Sequence, residues 1–251
     1  SIRLIYDGTE KNAAGGEQTI GNSQFNINDN DPAYVGYMYG NPDGTTFAEV
    51  HNNTNNSTIK TAVDNWYKTN IADKGYSSYI SNAVGFCGDR SLPAGVLGTN
   101  DNGDGVNNTP QTSYFGAYVR YVKNVAQFTC PEPSRDLYTT ADSSIGNKAL
   151  TYPVGLITYD ELVFAGMDNR HINKLSWAYS TQHYWTMSPS YFDATGGAAG
   201  EWRLLSAGFL YPWTWVTDSN GARPVINLKS DVKISGGIGT SNDPFIIDTN
   251  K

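Results

Sequence analysis

Charge is scarce in this chain: only 16% of its 251 residues are Asp, Glu, Lys or Arg. That argues against a charge-rich helical protein, because the polar surface must then be built from Asn, Thr, Ser, Gly and Tyr, as in many secreted β-rich domains. The charge present sums to −7 without a cluster of Lys and Arg, which argues against a nucleic-acid footprint. No apolar run reaches membrane-spanning length and no basic-then-apolar leader opens the chain, so any membrane anchor is expected outside these residues.

Histidine and cysteine are scarce as well. His51, His171 and His183 are the only histidines, and none stands in a motif that joins a base to a nucleophile; a lone His in a polar loop reads as a surface residue. Two cysteines, Cys87 and Cys130, are too few for a structural zinc site, which takes four Cys or His ligands at short spacing. They leave a reactive thiol or one disulfide. The disulfide is the expectation: closing so long a loop would stabilise the fold by about 4 kcal/mol in the chain-entropy picture, and it would place the protein outside the cytoplasm.

What is present is periodic in places. Ser1 to Gly8 alternates Ile2, Leu4 and Tyr6 against Arg3, Ile5 and Asp7, the pattern of a half-buried strand. Ala33 to Tyr39 (AYVGYMY) reads as a second strand, and Asn41 to Gly44 (NPDG) as a turn, since Pro42 presets φ. The clearest helix is Ser57 to Asn70, where Ser57 can accept from first-turn amides and Ile59, Ala62, Val63, Trp66 and Tyr67 form one apolar stripe; this assigns Trp66 to the core. Tyr114 to Val122 (YFGAYVRYV) fits a strand or a short helix. Tyr152 to Met167 reads as a short strand and a second helix, with Thr158 and Glu161 as a capping box and Gly166 as the stop. Asp160 and Glu161 are adjacent and therefore point apart on that helix, which argues against an acid–base pair.

Asn100 to Asn108 (NDNGDGVNN) is the one candidate for a metal. Asp101, Asn102 and Asp104 offer oxygens around a Gly-permitted turn, and the ion they would suit is calcium. Counted from Asn100, however, the position that should carry the closing bidentate acid is Gln111, so a plain solvated loop is the competing and better-fitting reading.

Between Asn169 and Gly221 the chain turns aromatic. Trp185 to Pro189 reads as a core strand. Trp213 and Trp215 flank Thr214 and share a face, within a segment (YPWTWVTDSNG) that reads as a hairpin turning at Asp218 to Gly221. Flat amphipathic rings serve as packing mass or as ligand platforms. The candidates for ligand contact are Trp177, Tyr179, Trp202, Tyr211, Trp213 and Trp215. The chain closes with GARPVINL (Gly221 to Leu228), a strand that begins where Pro224 has no hydrogen to give, then strands around Val232 to Ile234 and ending at Ile247. Arg223 is expected to be internal, satisfied by Asp160 or Glu161.

GARPVINLK, taken with YWTMSPSYF at Tyr184 to Phe192, resembles a large family of bacterial surface proteins of Firmicutes type. In that family a globular domain follows a pilin-like or lipoprotein anchor, and the fold is related to the C-type lectin and formylglycine-generating enzyme class. The LIT-x-DE pattern at Leu156 to Glu161 recurs there too. The resemblance implies a single α+β domain over residues 1–251, C-type lectin-like, with mixed and antiparallel β-sheets, two principal helices and long irregular loops. It also implies that Asn169 to Gln182 and Asp193 to Asn220 are ligand-facing loops on a framework of Tyr184 to Tyr191 and Arg223 to Leu228. Family cysteines in FC and Cys-Pro contexts, here Phe86-Cys87 and Cys130-Pro131, support the pairing. The function expected is a non-catalytic extracellular domain, displayed on a bacterial surface, that binds a host or environmental glycan or protein and needs no cofactor beyond a candidate calcium. The alternatives are a structural pilus or surface-assembly subunit, or a glycan-acting enzyme using two carboxylates across a cleft. An oxidase of the formylglycine-generating kind would need free reactive thiols.

Overall fold

Polar caps and β-rich segments of this sequence resolve, in a computed structural model, into short elements threaded around one central sheet; the residues described are 1–94, 102–107, 110–240 and 242–249. In chain order the first half contributes β1 (Ile2–Ile5), β2 (Asn22–Ser23), β3 (Met38–Tyr39), α1 (Phe47–Val50), β4 (Asn55–Asn56) and α2 (Thr58–Tyr67). Next come β5 (Phe86–Cys87), β6 (Ser113–Tyr114), α3 (Gly116–Lys123), α4 (Pro133–Asp136), β7 (Leu137–Tyr138), β8 (Val154–Gly155) and α5 (Tyr159–Phe164). The last third carries the long strands β9 (Tyr184–Asp193), β10 (Ala198–Leu204) and β11 (Leu210–Trp215), followed by β12 (Asn220–Gly221), β13 (Val225–Leu228), β14 (Ile234–Gly236) and β15 (Ile246–Ile247).

The central sheet runs β11-β10-β9-β12-β2, with β6 also paired to β9; only the β9–β12 pair is parallel. A second sheet, β1-β13-β8, is antiparallel and joins the start of the chain to the GARPVINL segment. The fold is therefore α+β with mainly antiparallel sheets. Every residue of β9 up to Phe192 is buried, so the strand is covered on both faces, as its nearly continuous run of apolar and small residues requires. Pro189 is tolerated in so central a strand because the β9–β10 ladder is irregular there, between Gly200 and Glu201.

The helices form where local chemistry asks for them. Ser57 Oγ accepts from the Lys60 amide at 3.1 Å, and Ile59, Val63 and Tyr67 bury one face of α2 completely. Trp66 is half-buried on the flank of that stripe, edge-on to Tyr6 at 5.7 Å. Thr158 and Glu161 close a reciprocal capping box on α5, and Gly166, at φ 83°, ends the turn that follows. The Cys87–Cys130 disulfide is formed, with Cα atoms 5.6 Å apart and a separation of 43 residues.

Several expectations are corrected. Ala33 to Tyr39 is not one strand: Asp31 accepts from the Ala33 amide and Pro32 starts a 3-10 turn over Pro32–Val35, leaving only Met38 and Tyr39 extended. Tyr114 to Val122 is both of its alternatives in succession, strand at Tyr114 and helix from Gly116. β1 is half-buried as expected but through its Arg3 and Ile5 side, with Ile2 and Leu4 outward. Arg3 is drawn in because its guanidinium meets Glu161, Asn227 Oδ1 and the Gly85 carbonyl. Asp193 to Asn220 is not a loop region, since it holds β10 and β11, and the turn at Asp218 to Gly221 leads into β12 on the far side of β9 rather than closing a hairpin.

Arg223 is internal, but neither Asp160 nor Glu161 is its partner. Its guanidinium donates to the Tyr6 carbonyl at 2.8 Å, the Ala178 carbonyl at 3.2 Å and Asp7 Oδ1 at 2.7 Å, and it lies over the Tyr184 ring. Asp160 is held instead by Arg120, and Glu161 by Arg3.

Candidate functional site

In β11 the odd residues Tyr211, Trp213 and Trp215 face outward while Leu210, Pro212 and Thr214 are buried beneath. Trp213 and Trp215 remain 44% and 55% exposed. Their rings are not loose: Trp213 is braced by Tyr191 at 4.9 Å and by Tyr118 at 5.3 Å, and Tyr118 in turn stacks on Tyr114 at 4.5 Å. Cross-strand register puts Gly200 opposite both Trp215 and Tyr191, and a Cβ at Gly200 would fall 2.1 Å from the Tyr191 ring. Glycine at that position lets Tyr191 lie flat under the outward aromatics. Burial pushes the Tyr191 phenol up to about 12, so it stays protonated at neutral pH.

At the edge of this face Arg203 holds its guanidinium 5.5 Å above the Tyr211 ring, donates from Nη1 to Asn220 Oδ1 at 2.7 Å, and has no partner for Nε among the described residues. A flat apolar platform rimmed by a cation suits a ligand with one C–H-rich face and a polar edge, such as a pyranose ring or an extended side chain.

The other aromatic candidates lie elsewhere. Trp202 is fully buried, packed by Tyr159 at 4.5 Å and Tyr121 at 5.3 Å, so it is a core residue and not a ligand contact. Tyr179 is half-buried and donates its hydroxyl to the Ser206 carbonyl at 3.2 Å, beside the β10–β11 turn. Trp177 is exposed but lines a different cavity, with Phe128 and Phe164. Tyr114 and Tyr118 are members of the site that sequence reasoning left unassigned, and Tyr191, expected as framework, braces it; Tyr114 stands in β6 and Tyr118 in α3, so no single periodicity pairs them.

Of the metal candidates, Asp101 lies outside the described residues. Asn102 ties its loop to β6, with Oδ1 accepting from the Tyr114 amide at 2.7 Å and Nδ2 donating to the Tyr114 and Pro93 carbonyls. Asp104 Oδ1 accepts from the Val106 amide at 3.0 Å. Among the described residues no group of three His, Cys, Asp or Glu side chains converges to hold a metal.

A cleft of about 480 Å³ does gather acids: Asp89, Asp160 and Glu161 line it, together with Arg3, Arg120 and the disulfide. Each carboxylate oxygen in it is already engaged. Asp160 accepts from Arg120 Nε and the Gln127 amide on one oxygen and from Arg120 Nη2 on the other; Asp89 accepts from Arg120 Nη1 and the Ser91 amide. Glu161 gives one oxygen to Arg3 and the other to the Thr158 amide and hydroxyl. Carboxylates so paired hold the cleft's walls together. The histidines are engaged too: His183 Nδ1 accepts from the Ser206 amide, and His171 Nδ1 meets Asp168. His51 is not the surface residue expected but is fully buried, with Nε2 2.9 Å from the Gly105 carbonyl and its ring against Phe47; burial lowers its pKa well below the usual histidine value.

No protein-family model, curated protein or solved structure matches the chain.

Proposed function

We propose that this is a non-catalytic, extracellular ligand-binding or adhesion domain of C-type lectin-like type, displayed on a bacterial surface. In this reading the outward face of β11 is the binding surface and the ligand is a glycan or protein of the host or surroundings. The observation that carries it is the pair Trp213 and Trp215, left half open to water on a rigid central sheet and supported from beneath by a tier of tyrosines. An aromatic held in place loses little entropy when it is covered, which is what makes it useful to a binding surface. The disulfide fits an oxidising compartment. The carboxylates of the cleft, each neutralised by an arginine, amide or hydroxyl, favour binding over hydrolysis.

The test is a screen of the chain against arrayed glycans and host extracellular proteins, repeated with Trp213→Ala and Trp215→Ala together. Retention of signal that the double substitution lowers at least thirtyfold, the equivalent of about 2 kcal/mol, supports the reading. A ligand whose binding is unaffected by the double substitution sinks it.

A further inference from the structure

β1 is bonded to the rest of its sheet along one side only. The Tyr6 amide donates to the Pro224 carbonyl at 2.8 Å, and the register then makes Leu4–Ile226 and Ile2–Leu228 the hydrogen-bonded pairs. The same phase holds across β13, where the outward carbonyl of Asn227 accepts from the Ser81 amide. It follows that the N–H and C=O groups of Arg3 and Ile5 point away from the sheet, and these backbone groups have no partner among the described residues. Proline and bulge, two of the devices that guard such an edge, are missing from Ile-Arg-Leu-Ile, although the strand is only four residues long and its one charged side chain turns inward to Glu161.

Each face of this edge has an apolar cavity beside it. One, of about 250 Å³, is lined by Ile5, Phe128, Phe164 and Trp177; the other, of about 230 Å³, by Leu4, Ile71, Tyr76 and Ile226. Phe128 and Phe164 stack at 4.0 Å while staying 74% and 53% exposed, and Trp177 beside them is 64% exposed. Successive side chains of a strand point to opposite faces, so a strand laid along β1 would send one side chain toward Phe128 and Phe164 and the next toward Leu4 and Tyr76. The charge nearby is the Arg3–Glu161 pair, which is internally balanced.

The geometry points to strand addition: the free edge of β1 receives an extended, uncharged segment of another polypeptide, apolar at consecutive positions, as a fourth strand of the β1-β13-β8 sheet. This site is separate from the β11 face. Main-chain bonds to Arg3 and Ile5 supply the attachment, and the two cavities select the side chains.

The test uses a labelled, end-blocked peptide of sequence Ser-Thr-Val-Phe-Val-Thr-Ser, its binding followed by fluorescence anisotropy. N-methylation at the residues of one parity should weaken binding at least tenfold, whereas methylation at the other parity, which faces solvent, should leave it within about twofold. Ile5→Pro removes an outward N–H without touching the bonds of Leu4 or Tyr6 to β13, and should weaken binding by a similar factor; Trp213→Ala should have no effect. If Ile5→Pro fails to fold, the methylated peptides on the unaltered chain decide. No binding, loss of binding in Trp213→Ala, or equal sensitivity at both parities overturns the proposal. So does self-association on sedimentation that Ile5→Pro removes while the peptide stays unbound, since that assigns the edge to a second copy of the chain.

Discussion

Removing the Cys87–Cys130 bridge is the most quantitative perturbation this fold offers. The bond closes a loop of 43 residues, and the chain-entropy relation turns that length into about 4 kcal/mol of stability through the unfolded state. For a domain of this size each kcal/mol moves the thermal midpoint by roughly 2–4 °C, so loss of the bridge should lower Tm by roughly 8–15 °C. The disulfide forms part of the wall of the 480 Å³ cleft, so a small reductant can reach it without unfolding. Calorimetry with and without reductant, and on the Cys87→Ala, Cys130→Ala double variant, reads the effect. The two routes should agree, because Asp136 still binds Arg90 and Arg120 still binds Asp160 on either side of the missing bond. An unchanged Tm after thiol titration has verified complete reduction would refute the reasoning, as would two alkylatable thiols in the native chain.

Arg120→Met leaves Asp89 and Asp160 almost buried and unpaired, and should cost about 3–5 kcal/mol by denaturant titration. Gly200→Ala drives a methyl into the Tyr191 ring and should cost about 1–3 kcal/mol while shifting the near-ultraviolet signal of the Trp213 cluster. Glu201 is fully buried with neither oxygen hydrogen-bonded among the described residues, and burial holds its carboxyl well above the usual range. A raised acid pKa means the folded chain keeps a proton that the unfolded chain releases. Stability should therefore fall as pH rises past the unfolded carboxylate value, and Glu201→Gln should remove that slope, with the two chains converging near pH 4 in urea titrations.

How much of this was legible beforehand depended on range. Ser57 and Thr158 announce their helices because a cap and its amides lie within three residues, and the alternation around Trp213 and Trp215 gave their shared outward face. Asp31-Pro32 carried a turn signal of the same local kind, outweighed by the β-rich composition of the seven residues that follow. Other features depend on contacts remote in sequence. Both sides of β1 carry an isoleucine, and only Glu161, Asn227 and Gly85 decide that Arg3 faces in. Arg223 finds Asp7 across the whole length of the chain. Trp202 is core rather than surface because Tyr118 and Tyr121 of α3 and Tyr159 of α5 cover it, and that cover comes from segments remote in sequence. The resemblance that suggested a lectin-like fold remains part of the proposal.

A single titration reaches furthest into the proposal: the best ligand from the array screen, added to ¹⁵N-labelled chain while the six indole N–H signals are followed. The Trp213 and Trp215 signals should shift in a saturable way, those of the buried Trp185 and Trp202 should stay in place, and the recovered ligand should have unchanged mass. A chemically altered ligand, or shifts confined to Trp177 with Trp213 and Trp215 silent, would contradict it.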